Sequence, residues 1–372
     1  MSTSSSIPVA NLSLLSSERE ILRIVHARET ISRADITKHT HLAQQSVHRL
    51  VEGLIEKELF SPTEPVIRGR GKPSPQITIN PERYVALGVG LSTSNIDLSG
   101  VDLNGHLIFS DVIDVDPGDC QAVASAVGEA AEQKFLEPPL KDRQAIGIGV
   151  SVQGYRKGNP NRYGTPDPIT SWTNQPIDTL FADATGLPAF TENNANCCAI
   201  AEYYCGGGTD LDCFAYLSFN MGLGGGLLYM GQPFFGGHGN AGELTRTYVE
   251  GDRKHRPALG ELLERLRDNG IKVDTVHDLA SRFDADWPGV AEWVEEVTPA
   301  LNILIRALTS IADPCAIFFG GEAPTALRKM LIEAGRVPDE DGPPSPRLAL
   351  SAIEGDASSI GAAILPLQRM IY

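Results

Sequence analysis

Long apolar runs are missing from this chain. No stretch reaches the ~18 apolar residues that a membrane-spanning helix needs, and the first residues, MSTSSSIPVANLSLL, lack the charged and apolar blocks of a signal peptide. Both absences predict a cytoplasmic protein with no membrane partner. Cysteine is sparse and scattered: Cys120, Cys197, Cys198, Cys205, Cys213 and Cys315 contain no Cys-x-x-Cys pair. That excludes a secreted disulfide framework and leaves most of them as small buried apolar side chains. The eight histidines form no metal-ligand cluster with the cysteines. Basic residues are outnumbered, 31 Lys and Arg against 47 Asp and Glu, for a net charge of -16. A chain this acidic does not hold nucleic acid over its whole surface. No short-period repeat is visible, so a solenoid is excluded as well.

What is present is uneven. The 372 residues suffice for two or three domains, and the hydrophobic fraction of 42% is ordinary for a globular chain. Residues 1–80 hold 10 basic and 8 acidic residues, whereas the remainder holds 21 basic and 39 acidic ones. Any DNA contact must come from the N-terminal part, with the acidic body held clear of phosphate.

That part has a readable pattern. Ser17 is expected to cap a first helix, with Glu20 in the capping-box position and Ile21, Leu22 and Val25 as the apolar face. Ser32 is expected to cap a short second helix, and a turn at Thr40–Leu42 leads to a third. Val47, Leu50, Val51, Leu54 and Ile55 give the third helix a buried stripe at i, i+3, i+4, i+7, i+8 spacing. Its opposite face opens with Gln44, Gln45, Ser46, His48 and Arg49, side chains that suit base edges and phosphates. Phe60-Ser-Pro and the alternating Gln76-Ile-Thr-Ile then flank a basic, Gly-rich turn containing Arg68, Arg70 and Lys72. Helix, helix, turn, helix, wing is the order of a winged helix-turn-helix, with a recognition helix for the major groove and wing arginines for phosphate or the minor groove. A small helical protein-interaction module is the alternative. The basic wing favours DNA.

From residue 84 onward the pattern becomes α/β. Strands are expected at 84–90, 96–101, 106–112, 145–151, 214–219, 226–229 and 316–319, with helices at 194–205 and 302–311. Asn104-Gly105 marks a hairpin. Phe214–Phe219 and Gly226–Tyr229 are expected to surround a glycine turn. Hairpin-then-helix units occur in both halves, which predicts two α/β lobes with a cleft between them.

Six segments carry a resemblance: Ser32-Arg-Ala-Asp to Gly53, Glu192-Asn-Asn-Ala-Asn, Gly222-Leu-Gly-Gly-Gly, Gly239-Asn-Ala-Gly-Glu, Asp313-Pro to Gly320-Gly321, and Gly355-Asp-Ala-Ser-Ser-Ile-Gly-Ala-Ala. In this order they resemble the ROK family of bacterial sugar kinases and sugar-responsive repressors, from about residue 17 to the end. The resemblance implies a winged helix-turn-helix over residues 1–80 and an actin-like, two-lobed kinase body over 81–372, with ATP and sugar meeting in the cleft. It also implies that Asn193 and Glu243 bond a sugar.

The departures bear on chemistry. The family's catalytic aspartate is matched by Asn194, and an amide cannot take a proton from a sugar hydroxyl. The first phosphate loop, Asp-x-Gly-Gly-Thr-Lys in the family, is Gly90-Leu91-Ser92-Thr93-Ser94-Asn95 here. A phosphate-loop threonine is replaced by Met221, and a late Gly-Gly-Gly reads Gly320-Gly321-Glu322. Four losses in the phosphate-transfer machinery predict a body without ATP chemistry and with no cofactor. The family's zinc site, a histidine followed by a cysteine run, is matched by Thr245–Glu264, which has no cysteine and carries Arg246 at the histidine position. No structural metal is therefore expected, although His238 and His255 lie nearby. A second sugar-binding glutamate falls near Leu263, leaving Glu261 or Glu264 as substitutes. The expected pocket is Asn193, Asn194, Glu243 and Arg246, binding a sugar or sugar derivative. Arg246 either pairs with Glu243 or receives a charged ligand. The leading expectation is a homodimeric or tetrameric repressor that binds operator DNA. An active sugar kinase carrying a DNA-binding domain, a constitutive DNA-binding protein and a decayed pocket are the competing readings.

Overall fold

The computed structural model describes residues 7–63, 75–249, 251–337 and 342–372. The described chain starts on the body. Ala145 donates its N–H to the Pro8 carbonyl at 2.7 Å and accepts from Ala10 N–H at 2.8 Å. Ile7 is buried in the core of the first lobe. The backbone of residues 8–10 thus extends the sheet of the body ahead of the N-terminal module.

The N-terminal module follows as α1 (Ser16–His26), β1 (Ile31–Ser32), α2 (Arg33–Lys38), α3 (Gln44–Glu56), β2 (Phe60–Thr63) and β3 (Gln76–Ile79). The strands form an antiparallel sheet in the order β1-β3-β2. This is the winged-helix order. The N-cap of α1 is Leu15, not Ser17, and Glu18, not Glu20, closes the turn by accepting from Leu15 N–H at 2.8 Å. The reason is tertiary: the buried Glu18 carboxylate also pairs with Lys57 at 2.7 Å, beyond the end of α3. Ser32 caps α2 as expected, accepting from Asp35 N–H at 3.1 Å. On α3, Val47, Val51 and Leu54 are buried, and Leu50 and Ile55 are half-buried.

The body has two lobes with one topology. In the first, β4 (Tyr84–Leu91), β5 (Ile96–Val101) and β6 (Leu107–Ile113) form an antiparallel meander. Helix α4 (Cys120–Leu136) crosses over, and β7 (Gln144–Val152) pairs in parallel with β4. A hairpin of β8 (Tyr155–Lys157) and β9 (Asn159–Gly164) and helix α5 (Ile177–Thr185) precede β10 (Ala189–Asn193), parallel to β7. Helix α6 (Asn194–Cys205) follows β10 without a loop and leads to the second lobe. There β11 (Cys213–Phe219), β12 (Leu223–Tyr229) and β13 (Gln232–Pro233) form the meander, followed by α7 (Leu259–Asp268), α8 (Val276–Arg282) and α9 (Val290–Ala312). Strand β14 (Ala316–Gly320), helix α10 (Thr325–Ala334) and strand β15 (Arg347–Leu350) complete it. The sheet orders, β10-β7-β4-β5-β6 and β13-β12-β11-β14-β15, are the same arrangement twice. Helix α11 (Ser358–Met370) returns to pack on β4, β7 and α6. Gly88 and Gly149 lie under α11, where a Cβ would strike the backbone at Ser359 and Ala362.

Two expected elements change extent. Strand β12 begins at Leu223, ahead of the expected Gly226, so Gly224 and Gly225 lie within a strand, not a turn. The missing side chains let α6 approach: a Cβ on Gly226 would stand 2.7 Å from the Ala195 carbonyl. Helix α9 runs 23 residues with Pro299 inside it, starting well before the expected Asn302.

The winged helix packs on the body through α6 and α11, and residues of all three share one core cluster. Arg23 donates to the Tyr372 carbonyl at 2.8 Å and Arg19 to the Arg369 carbonyl at 3.2 Å. The His26 ring sits 4.7 Å from Tyr372 and 5.5 Å from Tyr204, near the end of α6. Burial lowers the His26 pKa, so the ring favours its neutral form there. Among the described residues no helix is long and apolar enough to cross a membrane.

Candidate functional site

The junction of β10 and α6 builds one wall of the interlobe cleft. Asn193 caps α6: its Oδ1 accepts from Ala195 N–H at 2.8 Å and Asn196 N–H at 3.2 Å. Its Nδ2 donates to the Gly154 carbonyl at 2.7 Å. One amide hydrogen is left for a ligand. Asn194, at 8% exposure, makes no side-chain hydrogen bond to a described residue, yet its amide atoms are not sealed from solvent. Such an amide donates and accepts but cannot serve as a general base.

Buried Glu192 braces this junction. Its carboxylate accepts from Asn193 N–H at 2.8 Å, from Asn196 Nδ2 at 3.1 Å and from Arg156 at 2.5 Å. Pairing and hydrogen bonding are what make a buried carboxylate tolerable. Arg156, on β8, lies over the rings of Tyr163 and Phe235 at 5.3 and 5.7 Å. Asn240 grips its backbone, accepting from Arg156 N–H at 2.7 Å and donating to its carbonyl at 3.0 Å. Hairpin β8–β9 thus joins the α6 junction to the Gly239–Glu243 segment of the second lobe.

The opposite wall holds Glu243 and Arg246. Glu243 precedes a 3₁₀ turn, Leu244–Thr247. Three residues per turn place positions i and i+3 on one side, and Arg246 N–H donates to the Glu243 carbonyl at 3.2 Å. The side chains form no ion pair with each other, nor Arg246 with any other described carboxylate. Burial raises the Glu243 carboxyl above its ordinary range, and the charge of Arg246 pulls it partly back. A cavity of about 590 Å³ opens here, lined by Tyr155 of the first lobe and by Gly222, Leu223, Glu243, Thr245, Arg246 and Arg256 of the second. Asn193 and Asn194 do not line it. They adjoin it through Gly154, the residue before Tyr155. A shallower depression of about 550 Å³ around Asp116, Asp119 and Cys120 shares no residue with this group.

The phosphate side of the cleft is rich in carboxylate. The loop after β4 bonds mainly to itself: Ser92 Oγ meets Ser94 Oγ at 3.0 Å and Asn95 Oδ1 at 2.9 Å. Thr93 N–H donates to Gln153 at 3.1 Å. Across the cleft, Ser94 Oγ donates to the Glu322 carboxylate at 3.2 Å. Burial and then the charge of Asp356 push Asp97 up to about 6. Burial, followed by Asp356 and Asp97, pushes Glu322 up to about 8. Asp356 is buried and also raised, and accepts from Cys198 Sγ at 3.3 Å and Ser358 Oγ at 2.9 Å. Three carboxyl groups, Asp97, Glu322 and Asp356, thus gather here, and Asp356 raises the other two. Among the described residues no three His, Cys, Asp or Glu side chains are grouped to hold a metal. His255 pairs with Glu296 at 2.8 Å. Leu263 is buried in the second-lobe core and stands away from ligand chemistry.

On the winged helix, Gln44, Gln45, His48 and Arg49 are exposed and Ser46 is half-buried, all along one stretch of α3. His48 lies 3.3 Å from Arg33, which pairs with Glu52 at 2.5 Å. Arg68, Arg70 and Lys72 lie outside the described residues. Sequence reasoning missed Arg156 and Asn240. A usable signal existed for Arg156: it sits just past the carboxyl end of β7, where open α/β sheets place ligands.

The cleft has relatives of both kinds. The DNA-binding transcriptional dual regulator NagC of Escherichia coli K12 is 22% identical over 336 residues, 84% of this chain and 82% of NagC. A ROK family transcriptional regulator, a homolog of the E. coli MLC protein, superposes with a TM-score of 0.69 at 19% identity, covering 95% of this chain and 96% of that one. The ROK hexokinase of Thermus thermophilus superposes with a TM-score of 0.60 at 25% identity, over 75% of this chain and 97% of the hexokinase. The family model described as "ROK family" matches residues 121–369, more than half of the chain. The protein belongs to the ROK family.

Proposed function

We propose that this chain is a sugar-responsive transcriptional regulator that acts as a repressor. The winged helix binds operator DNA as part of a homodimer or tetramer in the cytoplasm. The kinase-like cleft holds a sugar or sugar derivative without phosphorylating it. In this reading residues 11–80 form the DNA-binding unit, and Gln44, Gln45, Ser46, His48 and Arg49, with wing residues Arg68, Arg70 and Lys72, face DNA. Asn193, Asn194, Glu243 and Arg246 face the ligand.

The observation that carries the proposal is helix α6. It is 12 residues long, about 18 Å at ~1.5 Å per residue. It starts at the Asn193–Asn194 junction and ends beside His26 of the winged helix, against which Tyr204 packs. Its buried Glu202 accepts from Gly207 N–H at 2.6 Å and from Ser351 Oγ at 2.5 Å, so the helix is fixed near its far end as well. A ligand that shifts the α6 junction therefore changes the seat of the DNA-binding module. The effect on operator affinity equals the ligand's difference in affinity for the two arrangements. A two-fold assembly would place its half-sites about 34 Å apart or at a multiple of that spacing.

The competing reading is an active sugar kinase, which likeness to the hexokinase favours. Asn194 in the place of a general base and the carboxylates Asp97, Glu322 and Asp356 on the phosphate side weigh against it. The test is a gel-shift selection of operator DNA with the full chain, followed by titration of sugars, sugar acids and sugar phosphates. One sugar should change operator affinity by tenfold or more. If no sugar alters binding to a specific operator, the sensing part of the proposal is wrong.

A further inference from the structure

Resting on the sugar-sensing reading, we infer that the ligand carries a carboxylate or phosphate, and that Arg246 with Arg256 receives this anionic group in the interlobe cavity. The first ground is charge. The cavity lining brings two guanidinium groups, Arg246 and Arg256, against a single carboxyl, Glu243. Two cationic side chains thus outnumber the one acidic side chain in the lining. This reverses the sign of the surrounding body in a chain whose net charge is -16.

The second ground is geometry. Arg246 stands on the same side of the 3₁₀ turn as Glu243 without forming an ion pair with it. Its role as a mere partner that holds Glu243 in place is therefore not realised. Arg256 pairs with Glu261 at 3.8 Å and still lines the cavity. A neutral sugar closed into the cavity would offer Arg246 only neutral hydroxyl acceptors in exchange for water. A carboxylate or phosphate offers a charged acceptor, which the planar guanidinium fork can take through two parallel, charge-assisted N–H bonds. A cavity of about 590 Å³ accommodates a monosaccharide bearing such a group.

The test is calorimetry on the full chain at two salt concentrations. It uses a panel of hexoses, their hexuronates and their 6-phosphates, with inorganic phosphate as control. We expect one anionic sugar to bind at least tenfold more tightly than its neutral parent, less so at high salt. The hexuronate and 6-phosphate arms show which anion is used. Arg246→Gln should abolish the preference, weakening the anionic sugar at least tenfold more than its neutral parent. Arg246→Lys, which keeps charge without the fork, should retain part of it, and Arg256→Gln should weaken it. Melting of each unliganded variant checks folding, and exposed Arg246 is expected to tolerate substitution. The inference is overturned if the neutral parent binds as well as the anionic sugar. It also falls if Arg246→Gln leaves the preference intact, if inorganic phosphate alone matches the sugar phosphate, or if no sugar binds. A neutral sugar that binds best and releases operator DNA would overturn this inference and leave sugar sensing standing.

Discussion

Glu322 gives the most quantitative test of the phosphate side of the cleft. Its carboxyl is pushed up to about 8 from an ordinary 4.5, first by burial, then by the charges of Asp356 and Asp97, while Ser94 pulls it the other way. Between those values the folded chain binds more protons than the unfolded chain. Stability therefore falls as pH rises through this window and levels off above it. Each unit is worth about 1.4 kcal/mol at most. Partial exposure of the side chain and sharing of charge with two neighbours reduce the total to about 2 kcal/mol. That corresponds to roughly 2.5 °C in Tm for a protein of this size. Glu322→Gln preserves shape and keeps an acceptor for Ser94 while removing the titration. In scanning calorimetry the variant should match the parent at pH 5 and melt about 2.5 °C higher at pH 9. The exposed control Glu264→Gln should show no such divergence. An offset that is equal at both pH values would mean that packing, not ionisation, governs Glu322. A variant that is less stable at pH 9 would refute the reasoning outright.

Three further outcomes follow from the structure. Incubated with ATP, Mg²⁺ and a panel of hexoses, the protein should release no ADP above a no-protein control, and under the proposed reading Asn194→Asp alone should not restore turnover, because a phosphate chain would still meet Asp97, Glu322 and Asp356. Gln45→Ala should relax base preference in an operator-mutant panel by about 1–3 kcal/mol at one position, whereas Arg49→Ala should weaken binding across sequences and flatten its salt dependence. Tyr204→Ala should leave sugar and operator affinities within about threefold of the parent when each is measured alone, yet abolish the effect of sugar on operator binding; retained coupling would remove α6 from the proposed route.

The fold was legible wherever periodicity and topology coincide. The α3 stripe, the hairpin at Asn104-Gly105 and the span of α6 follow from local spacing. Less legible were features decided by partners distant in sequence. Glu18 was hidden because its significance lies in Lys57, 39 positions away. Gly224 and Gly225 read as a turn because sequence alone does not show the approach of Ala195 to Gly224. Arg156 drew no attention because its partner Glu192 is 36 positions distant. At the candidate site, motif matching located Asn193 and Glu243. It did not reveal that most of the Asn193 amide serves as a helix cap, or that Glu243 and Arg246 stand side by side unpaired.

The way the chain enters and leaves the winged helix has a mechanical consequence. Val9 pairs with Ala145 on one side of β7, and Val85 pairs with the same Ala145 on the other. The module is thus an excursion whose two ends are anchored two strand spacings apart, about 10 Å, on one strand of one lobe. A domain on a single linker can swivel and extend. One held at two neighbouring points can only tilt about the line that joins them. Under the proposed two-fold binding of operator DNA, this would narrow the tolerated operator geometry, since one inserted base pair rotates a half-site by about 35° around the DNA axis. Tilt, with little reach, is the freedom left to a ligand that would control this module.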